Sequence, residues 1–378
     1  MVVLKKVLVP IAVGTEPMEA VIVIDVLRRA GADVTVASVT SQLCVDAARG
    51  VTIVADALIS ACVDTVFDLI SIPGGMLGTV NLRTNMTLWR MLRDHVEEGR
   101  IYGALSEAPA FLLGKWGFLW NLKATCAPSS MGTLSSYAIA VDSRLQLDGK
   151  AVTSQGLGTT MEYALALVEQ LFGTEKADEL SGLRLMMPFE PNNTFFHTWP
   201  PNLFQRTCAG STRRPKVLLS IVDGLEEMEA VMIIDVLRRA KAEVVVASAG
   251  DKLEVMASRK VRLVADMLHS DAVEQSYDLI MWLGGLGFAR ARAVEDSDDE
   301  ALVLEPHELL KESPFTGICE TPSSMMVAGK VIISRGLGTT LLFSLTIVDL
   351  LLGREKALEI AKLMLVENFH STSASDLA

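Results

Sequence analysis

The stretch VLVPIAVGTEPMEAVIVIDVLRRAGADVTVAS, residues Val7 to Ser38, decides the fold of this chain because it occurs twice. Its second occurrence, VLLSIVDGLEEMEAVMIIDVLRRAKAEVVVAS, runs from Val217 to Ser248 and matches the first at 21 of 32 positions with a constant offset of 210. Repeats that build solenoids have periods of roughly 20 to 50 residues. A period this long indicates that each copy is a whole domain, and a chain of 378 residues can bury two cores.

Strand and helix patterns alternate within each copy. A short apolar run leads through a glycine turn into a helical apolar pattern and then into a second apolar run, Asp33 to Ala37 in the first copy. Further strands are predicted at Phe67–Ile72 and Ile101–Leu105, with a helix over residues 88–98 between them. Near-continuous apolar strands are typical of a parallel sheet with helices on both faces. The sequence therefore predicts an α/β fold with three layers in each copy.

Between the copies, the periodicity breaks in a segment rich in proline, asparagine and aromatic residues. We interpret this segment, residues 183–215, as a linker that packs along a domain surface. The predicted organisation is a first domain over residues 1–182, the linker, a second domain over residues 216–367 and a disordered tail over residues 368–378.

Composition argues against several classes of protein. The net charge of −12 disfavours nucleic acid as a partner, because phosphate binding requires clustered Lys and Arg. No apolar stretch approaches the roughly 18 residues of a membrane helix. Five scattered cysteines indicate neither a disulfide framework nor a metal site, and no phosphate loop is present, so we expect no metal and no cofactor. With no secretory signal or transit peptide in the chain as it stands, we expect an intracellular protein.

The two copies differ where a nucleophile would lie. GALSEAP in the first copy corresponds to TGICETP in the second, so Ser106 stands where Cys319 stands. A short strand ends at Cys319 and a helix is expected to follow, which is the setting of a nucleophile elbow. A thiol at a helix N-terminus is more acidic because the helix dipole stabilises the thiolate. A serine hydroxyl is scarcely ionised at neutral pH and needs an adjacent base.

Other candidate residues lie at the same rim of the predicted sheet. Glu19 and Glu229 occur early in the first helix of each copy, which places them opposite the elbow. Glycine pairs follow a neighbouring strand and offer backbone N–H groups to an oxyanion, since glycine lets a ligand approach the main chain. These pairs are Gly74 and Gly75 in the first copy and Gly284 and Gly285 in the second.

These motifs together resemble the DJ-1/PfpI family. The resemblance rests on the acidic strand–helix turn, PGG after a middle strand, the elbow, and SRGLGTT before a helix, and it covers nearly the whole chain in tandem. It implies two flavodoxin-like sandwiches of the class I glutamine amidotransferase type, packed as an intramolecular pseudo-dimer. In that family the acidic residue hydrogen-bonds a reactive cysteine, and a histidine from a later loop completes the site. The fused pair resembles plant members of the family, one of which is linked to chloroplast development.

Both copies depart from the family pattern. In the first, Ser106 replaces the cysteine, and Ala127 in KATCAP occupies the place of the histidine. In the second, 17 residues separate Cys319 from the GLGTT motif, against 50 after Ser106, so 33 residues are missing, including the histidine loop. That loss is either real, a splice form or an error in predicting the gene.

Structural explanations compete with functional ones at each position. Ser106 fits a small polar residue hydrogen-bonded to Glu19, and Cys319 fits either an inert buried thiol or an acidified, redox-sensitive one. Glu19 and Glu229 also fit acids favoured by the helix dipole. GLGTT fits a glycine turn with a helix-capping threonine. The basic ends of the first helices are expected to be solvated: Arg28, Arg29, Arg238 and Arg239.

Two functions follow from this pattern. The first is a degenerate, non-catalytic tandem protein that acts through protein partners, or as a redox-responsive scaffold, in chloroplast development; a chloroplast location is implied by the resemblance. The second is a cofactor-independent enzyme of the glyoxalase III or hydrolase type that uses Cys319 and Glu229. The sequence identifies neither a substrate nor a partner.

Overall fold

The computed structural model of the chain describes residues 4–182, 213–283, 325–328, 331–334 and 340–365. We refer to residues 4–182 as the first copy and to the described residues from 213 onwards as the second copy. The predictions for Gly284, Gly285 and Cys319, most of the linker and the whole tail lie outside the described residues.

The first copy is built around one sheet. Its strands are β1 Lys6–Ile11, β2 Asp33–Ser38, β3 Cys44–Asp46, β4 Thr52–Val54, β5 Ala57–Leu58, β6 Leu69–Ile72, β7 Ile101–Leu105, β8 Lys123–Ala124, β9 Ile139–Ala140, β10 Leu145–Asp148 and β11 Ala151–Ser154. Seven of them pair in the order β10-β11-β7-β6-β1-β2-β5, and all neighbours are parallel except β10 and β11. The parallel sheet expected from the apolar strands is therefore present.

Helices cover both faces of this sheet. They are α1 Pro17–Arg29, α2 Met76–Thr84, α3 Met86–Glu97, α4 Met131–Leu134, α5 Thr160–Phe172 and α6 Thr174–Gly182. Alternate residues of β1 belong to different cores: Val7 and Val9 pack with α1 and α5, whereas Leu8 packs with α2 and α3. This alternation follows from the two-residue period of a strand and makes three layers. A π-helical turn, Pro109–Gly114, follows β7 in place of the α-helix expected after the elbow.

The second copy repeats the first half of this arrangement. Its elements are β12 Lys216–Ile221, α7 Glu227–Arg239, β13 Glu243–Ser248, β14 Glu254–Met256, β15 Arg262–Val264, β16 Met267–Leu268, α8 His269–Ala272, β17 Leu279–Trp282, β18 Met325–Ala328, β19 Val331–Ser334, α9 Thr340–Leu352 and α10 Arg354–Leu363. The order β16-β13-β12-β17 corresponds to β5-β2-β1-β6. No helix among the described residues is both long and apolar enough to cross a membrane.

The position of the hairpin formed by β18 and β19 shows where the second copy is 33 residues shorter than the first. This hairpin is antiparallel and lies 180 residues after the hairpin of β10 and β11, the same offset as the two GLGTT motifs. The register therefore changes between Cys319 and Met325. In the first copy the corresponding segment contains the π-helical turn, β8, α4 and β9. The sequence of the second copy is therefore too short to contain counterparts of most of these elements.

The two copies contact each other through their first helices. Buried apolar residues of α1 and α7 belong to one continuous cluster that spans both copies. In addition, β4 pairs with β15 in antiparallel register, so that a four-stranded sheet, β14-β15-β4-β3, crosses from one copy to the other. The described halves therefore share both a core and a sheet.

Arginines at the ends of these two helices are not solvated, so that expectation was wrong. The four side chains are only 11% to 17% exposed. Arg29 of the first copy pairs with Glu226 of the second at 2.5 Å, and Arg239 pairs with Glu16 at 2.8 Å. Each also pairs with the aspartate four residues earlier in its own helix. Contact between the copies, which helix periodicity cannot reveal, removes these helix ends from water.

Candidate functional site

The elbow of the first copy places Ser106 in a strained backbone conformation. Its φ is 54°, in the left-handed region that residues other than glycine rarely adopt. The N–H of Ser106 donates to the carbonyl of Ser154 at 3.1 Å, which holds the turn against the end of β11. The Ser106 side chain points into the protein and the residue is only 8% exposed.

Glu19 is the direct partner of Ser106. It lies in the first turn of α1, is fully buried, and accepts a hydrogen bond from the Ser106 hydroxyl through Oε1. Its other oxygen, Oε2, accepts the N–H of Gly74 at 2.7 Å. Burial, reinforced by the nearby Glu16 carboxylate, raises the pKa of Glu19 to about 8 although both hydrogen bonds favour the charged form. At neutral pH this carboxyl is therefore mostly protonated, and in that form its own O–H donates to Ser106 Oγ while Oε2 still accepts the Gly74 N–H.

The glycine pair is packed too closely for any other residue. A Cβ on Gly74 would lie 2.5 Å from Ser106 Cβ and 2.6 Å from Glu19 Oε2. Gly75 has a φ of 89° and directly precedes α2. Its N–H donates to Glu107 Oε2 at 3.1 Å. The N–H groups of Gly74 and Gly75, which the sequence predicts to bind an oxyanion, thus both donate hydrogen bonds to carboxylates of the protein itself.

The loop expected to bear a histidine does reach the elbow. The N–H of Ala127 donates to the carbonyl of Ser106 at 2.8 Å, and Ala127 is 9% exposed. The side chain of Ala127 is a methyl group, so the position at which the resemblance predicts a histidine offers no base to Ser106. Cys126, the preceding residue, is buried, and burial raises the pKa of its thiol to about 12. Cys126 is thus almost wholly in the unreactive thiol form at neutral pH.

The second copy also borders this site. A Cβ on Gly156 would lie 3.0 Å from Ser106 Oγ and 3.5 Å from Leu365 Cδ1, so the first glycine of GLGTT separates these two side chains. A Cβ on Gly158 would lie 2.3 Å from the carbonyl oxygen of Leu365. The GLGTT turn of the first copy is therefore packed against the end of the chain segment that follows α10.

Glu229 occupies the corresponding position in the second copy but has different surroundings. It is half-buried and forms no hydrogen bond with a described residue. Burial, and then the Glu226 carboxylate, raise the pKa of Glu229 to about 7, while Arg29 of the first copy lowers it. Cys319, Gly284 and Gly285 lie outside the described residues. The structure therefore supplies one member of the predicted pair, a carboxyl that titrates near neutrality.

Comparison with known families identifies the fold. The family model described as the DJ-1/PfpI family matches residues 5–170 and again residues 215–335. The chain belongs to the DJ-1/PfpI family. Each half carries a family domain, which confirms the flavodoxin-like α/β fold in tandem, whereas the domain boundaries at residues 182 and 216 stay predictions.

Similar DJ-1/PfpI proteins include relatives that match nearly the whole chain and others that match about half of it. Protein DJ-1 homolog B of Arabidopsis thaliana is 48% identical over 391 residues, which cover 96% of this chain and 88% of the relative. Protein DJ-1 homolog A of the same plant is 42% identical over 395 residues, covering 96% and 99%. A protein of Caenorhabditis elegans named glutathione-independent glyoxalase DJR-1.2 is 30% identical over 165 residues, covering 44% and 87%.

Three carboxylates gather where the copies of this DJ-1/PfpI chain meet. Oxygen atoms of Asp25, Glu226 and Glu227 lie within 4.8 Å of one another. Arg29 binds the first two, and Glu227 accepts hydrogen bonds from Ser258 and from the N–H of Arg259. The cluster is thus neutralised by the protein's own groups, and its geometry alone does not indicate a metal site.

Sequence reasoning missed several residues that shape the first site. Glu107 directly follows Ser106 and takes up the Gly75 N–H, and Glu16 raises the pKa of Glu19 while pairing with Arg239. Both are acids within or beside motifs already recognised, so their proximity was detectable. Leu365 gave no signal, because it lies more than 200 residues from the elbow.

Proposed function

We propose that the first copy is a non-catalytic DJ-1/PfpI domain and that any chemistry of this chain belongs to Cys319 in the second copy. One observation carries the proposal: the Ser106 hydroxyl is hydrogen-bonded to Glu19, a fully buried carboxyl whose pKa is raised to about 8. A serine becomes a nucleophile only when a base removes its proton. A carboxyl that already holds a proton at neutral pH does not do so.

Other groups around Ser106 do not supply that base. Within the part of the chain that the structure describes, the side chain of Ser106 hydrogen-bonds Glu19 and no histidine or lysine. The neighbouring carboxyl, Glu107, is engaged with the Gly75 N–H. The oxyanion donors are occupied as well, so an attacking hydroxyl and a stabilised intermediate are both lacking. These contacts support a structural role for the Glu19–Ser106 pair.

The tandem chain would then act as an intramolecular pseudo-dimer whose first copy supports the second. The shared core of α1 and α7 and the ion pairs Arg29–Glu226 and Arg239–Glu16 support this arrangement. Cys319 would respond to oxidants in the manner of the family cysteine, which makes the protein a redox-responsive scaffold for protein partners. We extend the proposal to a chloroplast location and a role in chloroplast development because the tandem sequence resembles a plant member of the family, DJ-1 homologue C, that is linked to chloroplast development.

Two measurements on the full-length protein test this proposal. Methylglyoxal is incubated with the wild type and with Ser106→Ala and Cys319→Ala variants, and D-lactate is assayed. We expect no turnover that depends on Ser106; loss of turnover in Ser106→Ala would overturn the non-catalytic first copy. Peroxide treatment followed by mass spectrometry should then show sulfinate at Cys319. The matched control is Cys44, an exposed cysteine away from any elbow; equal oxidation of both would remove the redox proposal.

A second candidate is a glyoxalase that uses Cys319 and Glu229. The observation that favours it is the pKa of Glu229, raised to about 7, since a general acid–base works best when its pKa lies near the operating pH. The name of the nematode relative points to the same reaction. Conversion of methylglyoxal and one water into lactate needs no external oxidant, because the aldehyde carbon is oxidised while the ketone carbon is reduced. Turnover abolished by both Cys319→Ala and Glu229→Gln would establish this candidate.

A further inference from the structure

The first copy contains a cavity at the opposite end of its sheet from Ser106. Its volume is about 410 Å³, and its walls are one face of α3 and the loop of residues 63–67 before β6. Phe67 precedes β6 and Arg100 precedes β7, whereas Gly74 and Ser106 follow the same two strands. Because β6 and β7 are parallel, the cavity and the elbow are separated by the length of a strand, roughly 15 Å. None of the residues around Ser106 lines it.

Its floor is apolar. Phe67 and Ile70 are 3% and 1% exposed and pack into the core of this face, and Met91 of α3 lies beside them. Val66 at the rim is 64% exposed. Small-molecule sites typically have volumes of roughly 300 to 1,000 Å³, an apolar lining and a few placed polar groups. The floor therefore fits a small apolar side chain or ring.

His95 presents a buried acceptor to this cavity. The residue is 2% exposed, and its Nε2 contacts the carbonyl of Ile101 at 2.6 Å, which requires Nε2 to carry the hydrogen. Burial lowers the pKa of His95, so the ring is neutral at pH 7 and Nδ1 is an acceptor. Nδ1 has no hydrogen-bond partner among the described residues, and protein atoms do not enclose it completely. Because His95 lines the cavity, a ligand bound there can reach Nδ1.

Two charges on the cavity walls are available to a ligand. Arg90 on α3 and Asp64 on the opposite loop form no ion pair or hydrogen bond with any described residue. The other acids of the lining are paired, Asp94 with Arg93 and Glu98 with Arg100. The apolar floor is thus bordered by the Arg90 cation, the Asp64 anion and the His95 acceptor. None of the three has a partner for these groups among the described residues, and Arg90 and Asp64 do not pair with each other.

We infer that this cavity is a second ligand site, built for a small apolar α-amino acid. The carboxylate of such a ligand pairs with Arg90, its ammonium group donates to His95 Nδ1 and faces Asp64, and its side chain lies on Phe67 and Met91. A charged guanidinium recognises a carboxylate well, and an imidazole acceptor recognises an N–H donor. The site is independent of Ser106 and therefore of the function proposed above.

Titration calorimetry on the full-length chain tests this inference. L-phenylalanine should bind saturably, while 3-phenylpropionate, which lacks the ammonium group, and 2-phenylethylamine, which lacks the carboxylate, should each bind at least about fivefold more weakly. Arg90→Gln should weaken L-phenylalanine at least about tenfold. Lys115→Gln, at an exposed lysine outside the cavity lining, is the matched control and should leave binding unchanged.

The remaining variants separate the recognition of ammonium from a general loss of structure. Asp64→Asn and His95→Gln should weaken L-phenylalanine and leave 3-phenylpropionate unaffected; Gln keeps a donor for the Ile101 carbonyl and removes the Nδ1 acceptor. Equal loss for both ligands would mean that His95 only supports the helix, which contradicts its assigned role. No saturable binding of L-phenylalanine below about 10 mM, or unchanged binding in Arg90→Gln, would overturn the inference. Arg90 and Asp64 are exposed, so their variants test it even where His95→Gln fails to fold.

Discussion

The first turns of α1 and α7 have nearly the same sequence and different chemistry. Residues 16–19 read EPME and residues 226–229 read EEME. Each segment leads into a 13-residue helix and contributes a glutamate to the rim of a sheet. Glu19 is fully buried and accepts two hydrogen bonds, from the elbow and from a glycine N–H. Glu229 is half-buried, with no hydrogen bond to a described residue, and its pKa lies about one unit lower.

This contrast shows that the motif sets the position of the carboxyl and its neighbours set the protonation state. The acid of the first copy is enclosed by Ser106, Gly74 and Gly156, and its pKa rises because water is excluded. The acid of the second copy is only half-buried, and the Arg29 guanidinium of the first copy opposes the rise in its pKa. A duplicated motif is thus not a duplicated site.

The largest effect should come from removing the enclosed acid. Glu19→Ala leaves the buried N–H of Gly74 and the hydroxyl of Ser106 without a partner and opens a cavity, so the free energy of unfolding should fall by about 3 kcal/mol. Glu229→Ala removes a half-buried side chain with no such partners among the described residues and should lower it by less than about 1 kcal/mol. Urea unfolding at pH 7 measures both. Equal losses would show that the two turns are equivalent after all.

Close packing around Gly74 should give the next effect. Gly74→Ala forces a methyl group to within 2.6 Å of Ser106 and Glu19, so the free energy of unfolding should fall by about 2 kcal/mol. Gly132→Ala in α4 is the control, since nothing described lies within 4 Å of its added Cβ. That variant should be neutral or stabilised by about 0.5 kcal/mol. Thermal unfolding in which Gly74→Ala matches the control would refute the tight packing.

Stability should fall as pH rises, and Glu19 should account for part of the fall. The pKa of a glutamate side chain in water is 4.5 and that of Glu19 in the folded protein is about 8, so the folded state holds a proton that the unfolded state has lost. The resulting stability is complete below about pH 4.5 and disappears as pH rises through about 8. Urea unfolding should show a loss between about pH 5.5 and 8.5 that is smaller by at least about 1 kcal/mol in Glu19→Gln.

Glu19→Gln is informative because its amide imitates the protonated carboxyl. The amide N–H can donate to Ser106 Oγ while the amide oxygen accepts the Gly74 N–H. Glu229→Gln is the matched variant, and its effect on the slope should be smaller because Glu229 is half-buried. A wild-type slope that Glu19→Gln leaves unchanged would show that Glu19 is ionised in the folded protein.

The smallest effect should be that of the serine itself. Ser106→Ala removes one hydroxyl and keeps Gly74 as a donor to Glu19, so the free energy of unfolding should change by about 0.5 kcal/mol. The hydrogen bond from Ser106 lowers the pKa of Glu19, so its loss should raise that pKa further and extend the fall in stability to higher pH. A flatter profile in Ser106→Ala would contradict this assignment.

Much of the fold was predictable from local patterns. Repetition over Val7–Ser38 and Val217–Ser248 indicated two domains, and the predicted strand Ile101–Leu105 has the same bounds as β7. The predicted strand Phe67–Ile72 begins later, at Leu69, because edges of strands depend on pairing. The prediction that the helix ends are solvated was wrong, because Arg29 and Arg239 pair with acids of the other copy.

The candidate site was predictable only in part. The strand and helix pattern predicted that Ser106, Glu19 and Gly74 lie together, and the resemblance to the family added Ala127. The structure places all four within one network of contacts. Glu107 was missed because a side chain that accepts a hydrogen bond from a glycine N–H leaves no periodic pattern in the sequence. Leu365 was missed because packing between the two copies leaves none either. The cavity beside His95 was missed for the same reason, since its walls come from separate elements.

By itself, the sequence determined that this protein has two related α/β copies, that a serine replaces a cysteine in the first, and that the second lacks 33 residues after its elbow. These are properties of residue identity and spacing, which need no coordinates. Only the tertiary structure decided that Glu19 is enclosed and mostly protonated, that the glycine N–H groups are already occupied, and that helix-end arginines join the copies. Burial and charge pairing arise from surfaces brought together by folding, and the energy of a carboxyl depends on those surfaces rather than on its place in the chain.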